Sequence, residues 1–365
     1  GGMLDEADGA PQRTGDRVVA IARNDDAAVV ACLAATGLGA TWSSIGPDQG
    51  APAILARFGQ LEPSVLFTVA SHPYQGARKR LDDRLKTVLG ALPSIGTVVS
   101  LDGDTAPLES TDATVHTLAD LEVSGRSDTP YSWPRHPFNH PLFIMFSSGT
   151  TGAPKCIIHG AGGTLLEHLK EHRLHSDLGP DDRLLFTTSC GWMMWNWQLT
   201  ALASGTTVVA YDGSPTFPTA DALWRVVSEE RVTVFGTSPA FLQYGRDAEI
   251  EPGQTLDLSA LRAIQSTGSI LREPHYDWVR DHVKALAVQS ISGGTDIIGC
   301  FVLGNPMLPV WAGESQCVSL AMDVRSLKHD GTFQKPPDDT VGELVCAGPF
   351  PSRPLGLSNA PDGPR

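Results

Sequence analysis

The sequence predicts an α/β protein with mostly parallel sheets, followed by a small β-rich subdomain. Three observations carry this. Short apolar runs alternate with helical segments from Arg17 to Ile291, and that alternation implies parallel pairing with right-handed crossovers. Two of the runs break off into loops of glycines and hydroxyls, at 147–155 and 291–296. From Trp311 the character changes: Val318–Val324 and Val341–Cys346 flank the turn Lys328-His-Asp-Gly331, as antiparallel strands do.

Taken in order, residues 1–14 read as an arm without regular structure, with Gly1-Gly2-Met3 as a remnant of tag removal. Arg17–Ala22 reads as a strand. Asp25–Thr36 reads as a helix whose alanines suit close packing. Gly37–Trp42 returns to an extended segment, Ala51–Phe58 is a second helix and Ser64–Val69 a second strand. Arg78–Leu92 reads as a third helix and Thr97–Leu101 as a third strand. Residues 102–140, rich in Asp, Thr, Ser and Pro, read as a long surface connection. Beyond the strand at 143–146, Thr164–Arg173 reads as helical. Strands follow at Leu184–Thr188, Thr206–Tyr211, Val232–Phe235 and Ala287–Ile291, Ser259–Ser266 leads into another that ends at Gly268, and helices lie at Ala220–Glu230 and Trp278–Val283.

Composition bounds the function. A chain of 365 residues with 41% hydrophobic and 19% charged residues is globular and long enough for two or three folding units. A net charge of −14 argues against nucleic acid and anionic membrane surfaces as partners. No apolar run approaches the ~20 residues of a membrane span, and residues 1–15 are too polar for a secretory leader. Six scattered cysteines form no CxxC pair, so buried thiols in a reducing, cytoplasmic compartment are expected rather than zinc or disulfides. His168, His172 and His175 share one helical face; a solvated or partly packed face is the expected reading.

The loop at 143–155 organises the chain: Phe143-Ile-Met-Phe146-Ser147-Ser148-Gly149-Thr150-Thr151-Gly152-Ala153-Pro154-Lys155. A buried strand runs into hydroxyls and glycines closed by a lysine. Converging backbone donors, and glycines that let oxygens approach closely, suit an anion. Lys155 supplies charge. This is not the G-x-x-x-x-G-K-[ST] loop, because only Thr150 and Thr151 separate Gly149 from Gly152. A bare polar loop is the alternative; strand, order and lysine together favour phosphate.

A second strand end, Ser290-Ile291-Ser292-Gly293-Gly294-Thr295-Asp296, repeats the design with a carboxylate. Ligands in open α/β sheets collect at the carboxyl ends of strands, so both ends are expected to face one crevice. Asp296 there suits Mg²⁺, which prefers few carboxylates plus phosphate; alone, the segment is a common capped turn. The segment Gly191-Trp192-Met193-Met194-Trp195-Asn196-Trp197 holds three of the eight tryptophans. Large rings make rigid pocket walls and Asn196 can bond a carbonyl; the start of a buried core helix is the alternative.

The residues 147–155 resemble the phosphate-loop signature of the adenylate-forming superfamily of acyl-CoA synthetases, peptide-synthetase adenylation domains and luciferases. Pro141–Met145, Cys156-Ile-Ile-His159-Gly-Ala-Gly-Gly-Thr-Leu and Gly191–Trp197 resemble its acetoacetyl-CoA synthetase branch. The likeness runs from about Gly15 to the last residue. It implies two flavodoxin-like α/β halves, taken as 15–140 and 141–310, the second holding the phosphate loop and an acyl pocket. The start of a β-barrel-like subdomain follows at 311–365, in which Gly342-Glu343-Leu344-Val345 is a further, structural signature. By resemblance, ATP is bound by Ser147, Ser148, Gly149, Thr150, Thr151, Gly152, Lys155, Gly268, Ser269, Ile270, Ser292, Gly293, Gly294 and Thr295. Thr295, Asp296 and Lys155 are the expected catalytic residues, Asp296 the metal ligand, and Trp192, Met193, Trp195 and Asn196 the acyl site. Asp stands at 296 where much of the superfamily has Glu. The implied activity is ATP-dependent activation of acetoacetate and transfer to coenzyme A, with Mg²⁺ as cofactor. The family's ribose-binding aspartate, hinge and C-terminal lysine domain are not found, so a large N-terminal fragment is expected, with a monomer favoured. Two rivals stay open: an adenylating enzyme for another acid or acceptor, and a non-catalytic nucleotide-binding fragment.

Overall fold

A computed structural model describes residues 16–126, 131–147, 154–334 and 340–358. The first sheet grows around Arg17–Ile21, which has Thr41–Ile45 and Val65–Thr68 as parallel neighbours. Thr97–Ser100 and Thr114–Thr117 extend it in parallel on one side. Its centre is buried on both faces, which is why Val18-Val-Ala-Ile21 reads as a continuous apolar run rather than an alternation. The helix Asp26–Gly37 covers it, started by the Asp25 carboxylate, which accepts the Ala28 N–H at 3.2 Å.

On the other side Pro141–Ser147 lies parallel to Thr41–Ile45 with Phe143 opposite Trp42. Lys155–Gly160 and then Gly356–Leu357 add antiparallel strands. Pairing therefore carries this sheet past residue 140, into the stretch expected to open the second half. A second sheet is wholly parallel, in the order Thr207–Val208, Arg183–Phe186, Val234–Thr237, Ala263–Ser266, Ala287–Ser290. Each sheet has its own core, one around Ile21, Leu66, Phe67 and Val99, the other around Trp224, Phe235 and Ile264.

Several expectations are corrected. The helix expected over 78–92 spans only Asp82–Ala91, because 71–80 is a hairpin turned by Gln75 and Gly76, both at positive φ (45° and 78°). The stretch 102–140 contains a strand, Thr114–Thr117, and a helix, Leu118–Ser124, capped by Thr117. The expected strand 318–324 is two, Cys317–Val318 and Val324–Leu327, in different sheets; Ala321 at φ 62° breaks the run. The run of small antiparallel sheets expected from Trp311 begins earlier, at Ser292, and Val324–Leu327 pairs with Glu343–Cys346. His168, His172 and His175 are not on a solvated face: they are buried, at 0, 0 and 1% exposure. All six cysteines are free. No helix among the described residues is long and apolar enough to cross a membrane.

Candidate functional site

Pro141–Ser147 and Lys155–Gly160 form an antiparallel hairpin with Ser147 directly opposite Lys155. The expected phosphate loop is the hairpin's connection. Its residues Ser148, Gly149, Thr150, Thr151 and Gly152 lie outside the described residues. Lys155 is exposed at the start of its strand. The Gln60 amide donates to the Pro154 carbonyl at 3.1 Å, and the Arg57 guanidinium lies 6.0 Å from the Phe146 ring centre. Both come from the helix Ala51–Phe58 and the residues just after it. Sequence reasoning missed them, since nothing local in 57–60 points to a loop some ninety positions away.

Two parallel strands of the second sheet, Ala263–Ser266 and Ala287–Ser290, end side by side. Thr267 and Gly268 follow one, and Gly293, Gly294 and Thr295 the other. Together with Trp192, Met193, Ile291 and Cys300 they line a cleft of about 150 Å³. Gly268 takes φ +95° and faces the Trp192 ring, so a side chain there would be strained. Gly293 permits a close approach of chains: a Cβ on it would stand 2.1 Å from the Gly299 carbonyl oxygen. Ser269, Ile270, Ser292 and Asp296 are exposed beside the cleft rather than in its lining. His159, four residues past Lys155, has its imidazole beside the Thr295 backbone. Burial pushes it down to about 4, so it is neutral at physiological pH, with that backbone opposing the shift weakly.

The tryptophan segment divides. Trp192 is half exposed and, with Met193, faces the cleft. Met193–Thr200 is a helix, and Trp195, Asn196 and Trp197 lie on its buried part. Trp195 donates its indole N–H to Asn24 Oδ1 at 3.1 Å. Asn196 borders a separate hollow of about 10 Å³ with Trp42, Met145 and Phe146, room for no more than one water. Trp197 donates to Glu171 Oε2 at 2.7 Å. Asn24 and Glu171 are further supports that sequence reasoning missed.

No group of three or more His, Cys, Asp or Glu side chains among the described residues could hold a metal ion by itself. A single exposed carboxylate at Asp296 fits instead an ion held chiefly by phosphate oxygens and water, as Mg²⁺ is in nucleotide sites.

Residues 5–354 match the family model described as AMP-binding enzyme. The chain is 45% identical over 350 residues to the acetoacetyl-coenzyme A synthetase of Rhizobium meliloti (strain 1021), covering 96% of this chain and 53% of that protein. It is 41% identical over 358 residues to that of Gallus gallus, with the same coverage. A solved structure, acetoacetyl-CoA synthetase from Streptomyces lividans, superposes with a TM-score of 0.88 at 42% identity, covering 96% of this chain and 53% of that one. The chain thus spans about half the length of the curated relatives it matches.

Proposed function

The chain belongs to the AMP-binding enzyme family, and from that premise we propose that it is the nucleotide- and acyl-binding part of an AMP-forming acetoacetate–CoA ligase. One observation carries the reading. The ends of two parallel strands, with Gly268, Gly293, Gly294 and Thr295, meet Trp192 and Met193 across a single small cleft. That juxtaposition supports a nucleotide wall facing a bulky short-chain wall.

In the reaction, a carboxylate oxygen of acetoacetate attacks the α-phosphorus of ATP and pyrophosphate leaves, giving the acyl-adenylate. The coenzyme A thiolate then attacks the acyl carbonyl, the carbon–oxygen bond to phosphate breaks and AMP leaves. The loop between Ser147 and Lys155 holds the β- and γ-phosphates, and Lys155 offsets their charge. Thr295 contacts the α-phosphate where negative charge shifts during attack. Asp296 would hold Mg²⁺, which when bound neutralises phosphate charge. Gly268, Ser269 and Ile270 pack against the base, and Ser292 to Gly294 approach the phosphates. Trp192 and Met193 bound the acyl chain, with Trp195 and Asn196 shaping that wall from behind. Holding acid and ATP in line contributes to the rate by positioning, beside the neutralisation of phosphate charge.

The test is acid-dependent ATP–pyrophosphate exchange, on this chain and on one of the relatives' full length. Acetoacetate-dependent exchange supports the reading. ATP binding with no exchange in either chain would leave a nucleotide-binding module, and exchange with another acid would reassign the substrate.

A further inference from the structure

The helix Ala161–Lys170 and the π turn Glu171–His175 carry a row of polar side chains into the interior behind the cleft. Glu167, His168, Glu171, His172 and His175 are each at most 1% exposed. Burying such groups is costly unless their hydrogen bonds are made. Here most of them are made, and they reach both walls of the cleft; Glu167 Oε2 and His172 Nδ1 are the atoms of the row left without a partner. Glu171 Oε2 accepts the Trp197 indole N–H at 2.7 Å, and Oε1 accepts the Cys300 backbone N–H at 2.7 Å. Trp197 sits on the helix that begins with Met193; Cys300 lines the cleft five residues past Thr295.

His168 repeats the pattern three residues earlier. Its Nδ1 bonds the Thr200 hydroxyl at 2.8 Å and its Nε2 the Ile298 carbonyl at 2.6 Å. His172 adds a bond from Nε2 to the Trp197 carbonyl at 2.9 Å. The contact is close enough to exclude a side chain: a Cβ on Gly299 would stand 2.8 Å from Glu167 Oε1 and 3.0 Å from Glu171 Oε1. The charges balance. Lys170 Nζ bonds Glu167 Oε1 at 2.6 Å. Burial first, and the Glu167 carboxylate second, push the Glu171 carboxyl well up.

Apolar groups in place of buried charges are often as stabilising, so stability alone does not account for this row. What a hydrogen-bonded brace adds is direction, because each bond fixes both a distance and an angle. We propose that Glu171, seconded by His168, is a positioning residue of the site: it sets the spacing between the Trp192–Met193 wall and the Thr295–Cys300 wall, and so couples acyl selectivity to nucleotide placement. This rests on the functional reading above for its kinetic consequence and on the hydrogen bonds alone for its structural one.

The test compares wild type with Glu171→Gln, whose amide oxygen can accept from only one of the two N–H groups, and with Trp197→Phe, which keeps a ring and removes one donor. The first readout is amide hydrogen exchange, which needs no activity. Exchange should rise in peptides covering 192–200 and 295–303 while Arg17–Ile21 stays protected. The second is pyrophosphate exchange in the full-length enzyme, where the acetoacetate-to-butyrate ratio of kcat/KM should change by about tenfold, since sub-ångström displacement costs rate steeply. Uniformly raised exchange across the chain with an unchanged selectivity ratio would make Glu171 merely structural and overturn the proposal. If Glu171→Gln does not fold, Trp197→Phe decides: wild-type protection at 295–303 with wild-type selectivity overturns it. If the wild-type enzyme shows no acid-dependent exchange, the functional reading fails, and the hydrogen-exchange pattern alone accepts or rejects the brace.

Discussion

Ser147 and Lys155 stand directly opposite one another across an antiparallel pair. The loop between them therefore leaves and re-enters the same sheet, with its exit anchored by Gln60 on Pro154. A lysine at the re-entry point is held by ladder hydrogen bonds at its backbone and keeps its side chain exposed. That arrangement suits a charge which must meet an anion without being consumed by the fold.

Lys155→Ala should weaken ATP binding by roughly tenfold, the loss of a charge-assisted contact of about 1.5–3 kcal/mol being its upper range. Its exposed side chain predicts little change in stability. Calorimetric titration of ATP into both proteins is the check, and equal affinities would remove Lys155 from the nucleotide site.

Asp296→Asn should leave the fold intact and raise the Mg²⁺ concentration needed for half-maximal pyrophosphate exchange. Its exposure means that no packing is lost. An unchanged Mg²⁺ profile in the full-length enzyme would reduce Asp296 to a turn residue.

Trp192→Ala should open the acyl wall. Wild-type enzyme is expected to refuse octanoate by overlap while distinguishing acetoacetate from butyrate by a smaller factor, since single groups are worth about 1–3 kcal/mol. The variant should gain octanoate-dependent exchange and lose acetoacetate rate. Octanoate as the best wild-type substrate would contradict the assignment of Trp192.

Gly293→Ala should destabilise the fold by about 1–3 kcal/mol, the usual range for overpacking, because its Cβ would meet the backbone 2.1 Å away. Gly294→Ala is the control, with nothing nearer than 3.8 Å. Urea unfolding of the two variants should separate them clearly; equal midpoints would refute the close approach.

Stability should fall as pH drops below about 6.5. Burial lowers His159 to about 4 and His168 to about 3. Both rings are neutral in the fold, so below the ordinary histidine value the unfolded chain binds the protons first. Stability present above 6.5 is then lost on the order of 1.4 kcal/mol per pH unit per ring, down toward the folded values. Glu171 opposes this: its raised pKa stabilises the fold at low pH, and that contribution is lost as pH rises through the folded value. Two lowered rings outweigh one raised carboxyl, so melting temperature should decrease from pH 7 to 5. A flat profile would show that the rings are not buried neutral.

Much of this was legible in the sequence. The α/β class followed from alternation, and the close backbone approach at Gly293 from its paired glycines; the loop between Ser147 and Lys155 lies largely outside the described residues. Thr295, expected to bind nucleotide, and Trp192, expected in the acyl site, line one cleft. What was not legible is what comes from far away in the chain. Asn24 reaches Trp195 across 171 positions and Glu171 reaches Cys300 across 129, and no local pattern marks either. The histidines misled for a related reason. Polar residues at helical spacing usually mean a wet face, and only the carbonyls of Ile298, Trp197 and Gly304 reveal them as core.

The strand Lys155–Gly160 has Gly356 and Leu357 as its outer neighbours, opposite Ile158 and Ile157. During synthesis this edge is made early and closed late. About 200 residues must follow before its partner exists, which at roughly 5–20 residues per second is a wait of about 10–40 s. Through that interval the nascent sheet offers a row of bare backbone groups beside two isoleucines, a template for any passing strand. The strand that starts at Lys155 thus stays an open edge of the newborn chain until Gly356 and Leu357 have been made.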